Sequence, residues 1–286
     1  MNYKIITDSA CDLPQSMLSQ LDVTAVPLIV NFRGEVHKDS VADAEVKTLY
    51  DAMRSGEVAS TSAVNPDGWA QAIAPVLAAG QDALVLAFSS GLSTTYQSAV
   101  IAANDLLEQY PQRKICVVDT GCAALGQGLL VWYVCKQRDQ GLSLEALAAW
   151  TEQAKMRTAH WFTVDDLVYL KRGGRVSAAS AVLGAMLNIK PVLHVDDEGH
   201  LINMVKARGR KAAIETLAKK YDEACDSDSA EQIFICHADC LEDAKKLEQL
   251  MRQRGVKEVF IGNLGAVIGS HAGPGTLALF FMGNER

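Results

Sequence analysis

Short, almost uninterrupted apolar runs alternate with longer amphipathic segments in this 286-residue chain, and this alternation most constrains the fold. The runs at residues 4–7, 83–88 and 114–118 are typical of strands buried on both faces of a parallel sheet. Helical patterns occupy residues 12–21, 66–79, 93–110 and 126–140, and a further strand is predicted over residues 26–32. This succession of βα units predicts an α/β fold with a mostly parallel first sheet.

The pattern changes in the second half, where strands are also joined directly to one another. A helix over residues 144–157 precedes a strand at 160–163, and a hairpin-type turn at 196–199 separates the next two strands. Further strands are predicted at residues 232–237, 256–261 and 277–281, with helices at 211–224 and 241–254. We therefore expect two α/β domains, residues 1–155 and 156–286, the second with a mixed sheet.

Composition excludes several classes of protein. A net charge of -7 without a long basic run argues against nucleic acid or an anionic membrane as the main partner. Seven cysteines without framework spacing, no signal-peptide pattern and no membrane-length apolar run lead us to expect a cytoplasmic protein with reduced thiols. Cys236 and Cys240 flank His237 and Asp239, but a single such cluster predicts no metal site.

Three polar segments follow strands or open helices in the first half: residues 60–62, 89–95 and 119–122. Each combines hydroxyl groups with the free backbone N–H groups of a helix start, an arrangement that favours an anion. The same residue types are also ordinary helix caps, so both interpretations stay open.

Two glycine-rich segments stand out in the second half. Residues 170–177 combine three cations with a glycine pair, which suits a carboxylate or phosphate ligand but also a solvated basic turn. Residues 177–187 carry no charge and are mostly small, as in a core helix or in the wall of a pocket for a long apolar ligand. Residues 265–276 surround His271 with four glycines and a proline, which predicts a tight, ordered turn.

Residues 91–95 come within one residue of the G-x-S-x-G motif of serine hydrolases. As a hydrolase, the chain would use Ser93 as nucleophile, His271 as base and an acid such as Asp239 to orient the base. Thr95 stands where that motif needs glycine, and no HGGG-like oxyanion motif precedes it. As a binding protein, the chain would use Ser93, Thr61 and helix N-terminal amides to hold a carboxylate beside an apolar tunnel.

Motifs along nearly the whole chain resemble those of the DegV family, the fatty-acid-binding subunits of bacterial two-component fatty acid kinase. Residues 4–14 resemble the family's opening strand, which ends in Thr-Asp-Ser, and Thr61-Ser62 begins its Thr-Ser-Gln-Pro-Ser motif. Residues 89–99 match Ser-Ser-Gly-Leu-Ser-Gly-Thr-Tyr-Gln-Ser-Ala except at Thr94. The Lys-Gly-Gly-Arg loop and two later motifs correspond to residues 170–177, 189–191 and 268–275.

The resemblance implies a long-chain fatty acid in a tunnel between two domains, with no catalytic residue, cofactor or metal in this subunit. Its carboxylate would be bound by Thr61, Ser62, Ser93, Thr94 and His271. Arg172 and Arg175 would face the entrance or an ATP-dependent kinase subunit that forms an acyl phosphate.

An acyltransferase of phospholipid synthesis and transient membrane contact are further partners that the resemblance implies. The chain departs from the family at residues 63–65, Thr94 and Ala266. The first two departures affect the expected geometry around the carboxylate.

Overall fold

A computed structural model gives the structure of the protein and describes residues 2–176, 188–226 and 230–286. The strands are β1 (Tyr3–Asp8), β2 (Val23–Val26), β3 (Ile29–Phe32), β4 (Glu35–Lys38), β5 (Ser60–Ser62), β6 (Asp82–Ala87), β7 (Ile115–Asp119), β8 (Thr158–Thr163), β9 (Ile189–Val195), β10 (Leu201–Arg208), β11 (Gln232–His237), β12 (Glu258–Asn263) and β13 (Leu277–Met282). The α-helices are α1 (Gln15–Gln20), α2 (Asp43–Arg54), α3 (Pro66–Ala78), α4 (Thr95–Gln109), α5 (Ala124–Asp139), α6 (Leu144–Ala154), α7 (Val168–Arg172), α8 (Arg210–Ala224), α9 (Leu241–Gln253) and α10 (Ala266–Ala272).

The first sheet is wholly parallel and has the strand order β2-β1-β6-β7. Its central strands β1 and β6 are buried along nearly their whole length, as their continuous apolar runs predict. The second sheet has the order β10-β9-β8-β13-β11-β12; β11 and β12 run parallel and the other neighbours antiparallel. The predicted α/β class, with a parallel and a mixed sheet, is confirmed.

The single strand predicted over residues 26–32 is wrong. β2 ends at Val26 in the first sheet, whereas β3 begins at Ile29 and pairs with β4 and β5 in a separate antiparallel sheet. Pro27 lies between them, and its missing N–H and fixed φ interrupt a strand. The polar segment Ser60–Ser62 is not a loop but strand β5, paired with β3.

The predicted start of one helix and one predicted turn also need correction. α1 begins at Gln15 instead of residue 12, because Asp12 has a left-handed φ of 54° and Pro14 occupies the N-cap. The predicted turn over residues 265–276 is mostly helix α10, and its end needs glycine for its backbone conformation: Gly273 and Gly275 have φ of 84° and 82°. α2 was not predicted, and residues 177–187 lie outside the described residues.

Helix α5 packs on the second sheet, and its Gln127 donates to Thr7 and Leu86 of the first sheet; the helix is buried on all sides over residues 124–131. One apolar core includes residues of both sheets, such as Leu84 and Phe280, while a second core packs α8 and α9 on the far face of the second sheet. The domain division at residue 155 stays a prediction. Among the described residues, no helix has the length and apolar character required to cross a bilayer.

Candidate functional site

A cavity of about 440 Å³ lies between the first and second sheets. This volume is within the roughly 300–1,000 Å³ typical of small-molecule sites. Most of the wall is apolar and comes from strands of the second sheet, from segments that follow strands of the first sheet, and from α10, including Leu28, Phe88, Phe162, Leu264, Val267 and Phe280. The wall therefore suits an apolar ligand.

One end of the cavity is polar. The structure brings together five of the residues that the sequence predicts for the site, which all line this cavity: Thr61, Ser93, Thr94, Arg175 and His271. Thr94 is exposed, so the polar end reaches the protein surface. The described wall of the cavity does not include the other two predicted residues, Ser62 and Arg172, which are exposed beside it.

Ser93 lies in the turn between β6 and α4, and its side chain is held by local bonds. Its backbone N–H donates to the carbonyl of Ser89 at 3.1 Å. Its Oγ accepts from the backbone N–H of Thr95 at 3.2 Å and lies 2.8 Å from Thr95 Oγ1. When the buried Thr95 hydroxyl donates in that pair, Ser93 keeps its own hydroxyl hydrogen for a ligand. Ser93 is thus oriented by its neighbours and still able to donate.

Thr61 on β5 and His271 on α10 meet across the site, with 2.7 Å between Thr61 Oγ1 and His271 Nε2. The other ring nitrogen, Nδ1, is buried and has no hydrogen-bond partner among the described residues. The tautomer with its proton on Nε2 is favoured, because the alternative would bury an N–H donor without an acceptor. In that tautomer Nε2–H donates to Thr61, whose own hydroxyl hydrogen is left to donate into the cavity.

The imidazole of His271 is held neutral. Burial lowers its pKa to about 4, and the positive charge of Arg175 acts in the same direction. Gly173 packs directly against the ring, since a Cβ at that position would lie 2.3 Å from Nδ1. His271 therefore serves as a hydrogen-bonding group instead of a cation at physiological pH.

Arg175 supplies positive charge to the polar end. Its Nε donates to the carbonyl of Leu92 at 3.3 Å and its Nη1 to that of Gly173 at 2.5 Å. Burial lowers the pKa of the guanidinium, but the ordinary value is so high that the group stays charged. No carboxylate of the described residues forms an ion pair with it, so its positive charge there is not neutralised.

The triad of the hydrolase hypothesis is not assembled in the described part of the chain. The side-chain bonds of Ser93 go to Thr95, and Nε2 of His271 is bonded to Thr61. Asp239 is bonded instead to Arg54 of α2, with 2.5 Å between Oδ2 and Nη1. A serine nucleophile would need a base in hydrogen-bond contact with it.

Sequence reasoning missed His160, which lines the cavity from β8. Its Nδ1 lies 2.7 Å from the carbonyl of Thr158, and its Nε2 accepts from the N–H of Ala123 at 3.3 Å. Burial lowers its pKa well below the ordinary value, so the ring is a neutral part of the wall. The polar segment at residues 119–122, for which the cap and anion interpretations were both open, is not in the cavity wall; Asp119 accepts from the N–H groups of Ser90 and Gly121.

The fold and the cavity together define an α/β protein that encloses an apolar pocket with a polar, positively charged end. Residues 2–284 match the model of the family described as "Uncharacterised protein, DegV family". A DegV domain-containing protein of Clostridium perfringens is 43% identical over 287 residues, which cover 99% of this chain and 98% of the relative. The chain belongs to the DegV family.

Two solved structures are similar over nearly their whole length. The fatty-acid-binding DegV family protein of Thermus thermophilus is 33% identical with a TM-score of 0.89, covering 99% of this chain and 100% of that chain. The fatty acid kinase B3 protein of Streptococcus pneumoniae, loaded with linoleic acid, has a TM-score of 0.85 at 23% identity and 99% coverage of both chains. At that identity the second likeness shows the fold alone.

Proposed function

We propose that the protein binds a long-chain fatty acid in the cavity and presents its carboxylate to a separate ATP-dependent kinase subunit. The observation that carries the proposal is the polar end of the cavity, where two hydroxyl groups and a guanidinium without an ionic partner among the described residues line an otherwise apolar pocket. The fatty-acid-binding relative of Thermus thermophilus supports the ligand class.

The carboxylate head group would be held by hydrogen bonds that it accepts from protein hydroxyl groups. Thr61 and Ser93 each have a hydroxyl hydrogen to donate, and such bonds contribute about 1.5–3 kcal/mol each. Arg175 would supply the counter-charge that a buried carboxylate requires. Because His271 stays neutral, it orients Thr61 and does not pair with the ligand as an ion.

The acyl chain would be bound by the hydrophobic effect. Transfer of each CH₂ group from water to an apolar wall contributes roughly 0.8 kcal/mol. Strands of the second sheet and segments that follow strands of the first sheet contribute to this wall, so neither half of the chain builds the pocket alone.

Presentation requires access to the carboxylate from outside, and the exposed Thr94 at the polar end meets this requirement. A kinase subunit would transfer the γ-phosphoryl group of ATP to a carboxylate oxygen, giving acyl phosphate and ADP. This chain would contribute no catalytic residue and no cofactor, and Arg172 and Arg175 would face the kinase. An acyltransferase of phospholipid synthesis would consume the acyl phosphate, with transient contact at the membrane.

Native mass spectrometry of the protein purified from bacterial cells tests the proposal. We expect an added mass of one long-chain fatty acid, lost on denaturation and restored by adding oleate. A ligand-free protein that takes up no oleate would contradict fatty-acid binding. A fluorophosphonate probe tests the hydrolase hypothesis. We expect no covalent labelling of Ser93, whereas labelling would support a hydrolase.

A further inference from the structure

The tip of the β9–β10 hairpin forms a rigid turn. Asp196 and His200 close it through a backbone bond of 2.9 Å, and the N–H of Gly199 donates to the carbonyl of Asp196 at 2.9 Å. The carboxylate of Asp196 accepts from the N–H groups of Glu198 and His200 at 3.0 and 2.8 Å. The tip can therefore move as one unit.

This tip is seated on the turn that follows β6 in the first sheet. The hydroxyl of Ser89, a wholly buried residue, donates to the carbonyl of Gly199 at 2.9 Å and accepts from the N–H of Gly91 at 3.2 Å. A Cβ at Gly91 would lie 2.9 Å from the carbonyl oxygen of Glu198, and one at Gly199 would lie 2.1 Å from Ser89 Oγ. The two turns fit together only because both positions are glycine.

Ser89 also fixes the head-group turn. Its carbonyl accepts from the N–H groups of Leu92 and Ser93, both at 3.1 Å. On the hairpin side, Val195 and Leu201 flank the tip and line the cavity. Ser89 therefore connects the hairpin, which forms part of the cavity wall, to the backbone of Ser93, which would donate to the ligand.

We propose that Ser89 is a positioning residue that fastens the β9–β10 hairpin over the cavity, so that release of the hairpin tip controls fatty-acid exchange. This inference rests on the proposed function. When the tip lifts from the turn, Val195 and Leu201 withdraw from the wall and the pocket opens beside Ser93. When the tip is seated, the acyl chain is enclosed and the Ser93 turn is held in place.

The first test compares Ser89→Ala with Thr151→Val, using stopped-flow dissociation of the fluorescent fatty acid cis-parinarate. Thr151 is a matched control, because its buried hydroxyl donates to Leu147 inside α6 and does not line the cavity. We expect Ser89→Ala to accelerate dissociation by roughly 3- to 10-fold, the effect of one lost hydrogen bond. If Ser89 were merely structural, Ser89→Ala would lower the free energy of unfolding, as we expect of Thr151→Val, and would leave the dissociation rate unchanged.

The second test pushes the tip off its seat with Gly199→Ala, whose added Cβ would lie 2.1 Å from Ser89 Oγ. Gly141→Ala is the control, because Gly141 also has a left-handed φ, of 94°, but has no atom within 4 Å of an added Cβ. Dissociation of cis-parinarate should be accelerated in Gly199→Ala and unchanged in Gly141→Ala. Wild-type dissociation rates in Ser89→Ala and in Gly199→Ala would overturn this inference alone. A wild-type protein that binds no cis-parinarate would overturn the proposed function as well.

Discussion

At the residue scale, Ser93 and Thr61 reach the same end of the cavity from distant parts of the chain, and each has a neighbour that orients it. Thr95 bonds to the Ser93 hydroxyl, and His271 bonds to that of Thr61. The threonine at position 94, where the family motif has glycine, lines the cavity at its exposed end. The side chain at 94 thus adds bulk at the mouth and leaves both donors inside.

Ser93→Ala removes one of the two donors that we assign to the carboxylate. We expect fatty-acid affinity to fall by about 1.5–3 kcal/mol, or roughly 10- to 150-fold, because a charge-assisted bond is lost. Equilibrium titration with cis-parinarate measures the change. Ser60→Ala, at an exposed position of β5 outside the cavity wall, is the control and should bind like the wild type. Equal affinities in the two variants would exclude Ser93 from the head-group site.

At the element scale, two close approaches of its backbone place α5 against β8 of the second sheet and against the segment that follows β1 of the first sheet. A Cβ at Gly126 would lie 2.1 Å from His160 Nε2, and one at Gly128 would lie 2.6 Å from the carbonyl oxygen of Cys11. Helix propensity alone disfavours glycine by about 1 kcal/mol relative to alanine. Packing therefore explains both glycines in the interior of this helix.

Gly126→Ala should destabilise the protein although alanine is the better helix former. His160 is fixed by two hydrogen bonds and packs edge-on against Phe280 with 5.2 Å between ring centroids, so it has little room to move. We expect a net loss of about 1–3 kcal/mol in the free energy of unfolding, typical of overpacking. Urea denaturation measures the loss. Asn104→Ala at an exposed position of α4 is the control and should be neutral or stabilising. A stabilised Gly126→Ala protein would contradict this packing argument.

At the scale of the whole molecule, the two halves are held together around buried carboxyl groups. Asp39 accepts from the N–H of Val267 at 2.8 Å, and Tyr50 donates to the carbonyl of Leu264 at 2.7 Å. Burial raises the pKa of Asp39 to about 6 and that of Asp8 to about 7. These groups favour folding at low pH, and this contribution is lost progressively from about pH 4, where they ionise in the unfolded chain, up to pH 6 to 7, where they ionise in the folded state.

The buried histidines act in the opposite direction. Burial lowers the pKa values of His160 and His271, so their contribution to stability is present above about pH 6.5 and is lost as pH falls. The carboxyl and histidine contributions therefore oppose each other in the weakly acidic range.

Asp8→Asn isolates the carboxyl contribution. Both oxygens of Asp8 accept backbone N–H groups, from Ala10 at 3.1 Å and from Phe88 at 2.7 Å, so the NH₂ group of asparagine leaves one of these donors without its acceptor and lowers stability at every pH. Relative to the wild type, the variant should gain stability as pH rises from about 4 to about 7, by roughly 1.4 kcal/mol per unit of pKa shift. Chemical denaturation at a series of pH values gives this difference. A difference that is constant with pH would mean that the pKa of Asp8 is not raised.

The sequence by itself determined most strands of both large sheets and most of the helices, because continuous apolar runs and helical periodicity are local properties; β2, α2 and α7 were not predicted. It also indicated Ser93, Thr61, Arg175 and His271, since hydroxyls, an arginine and glycines at element ends are visible in the chain.

Only the tertiary structure decided how Pro27 divides one apolar run between two sheets, and which predicted residues line the cavity. It places Thr61 against His271 and Ser89 against Gly199, while Ser62 lies outside the wall. The physical reason is that these contacts join residues far apart in the chain, so local periodicity carries no record of them.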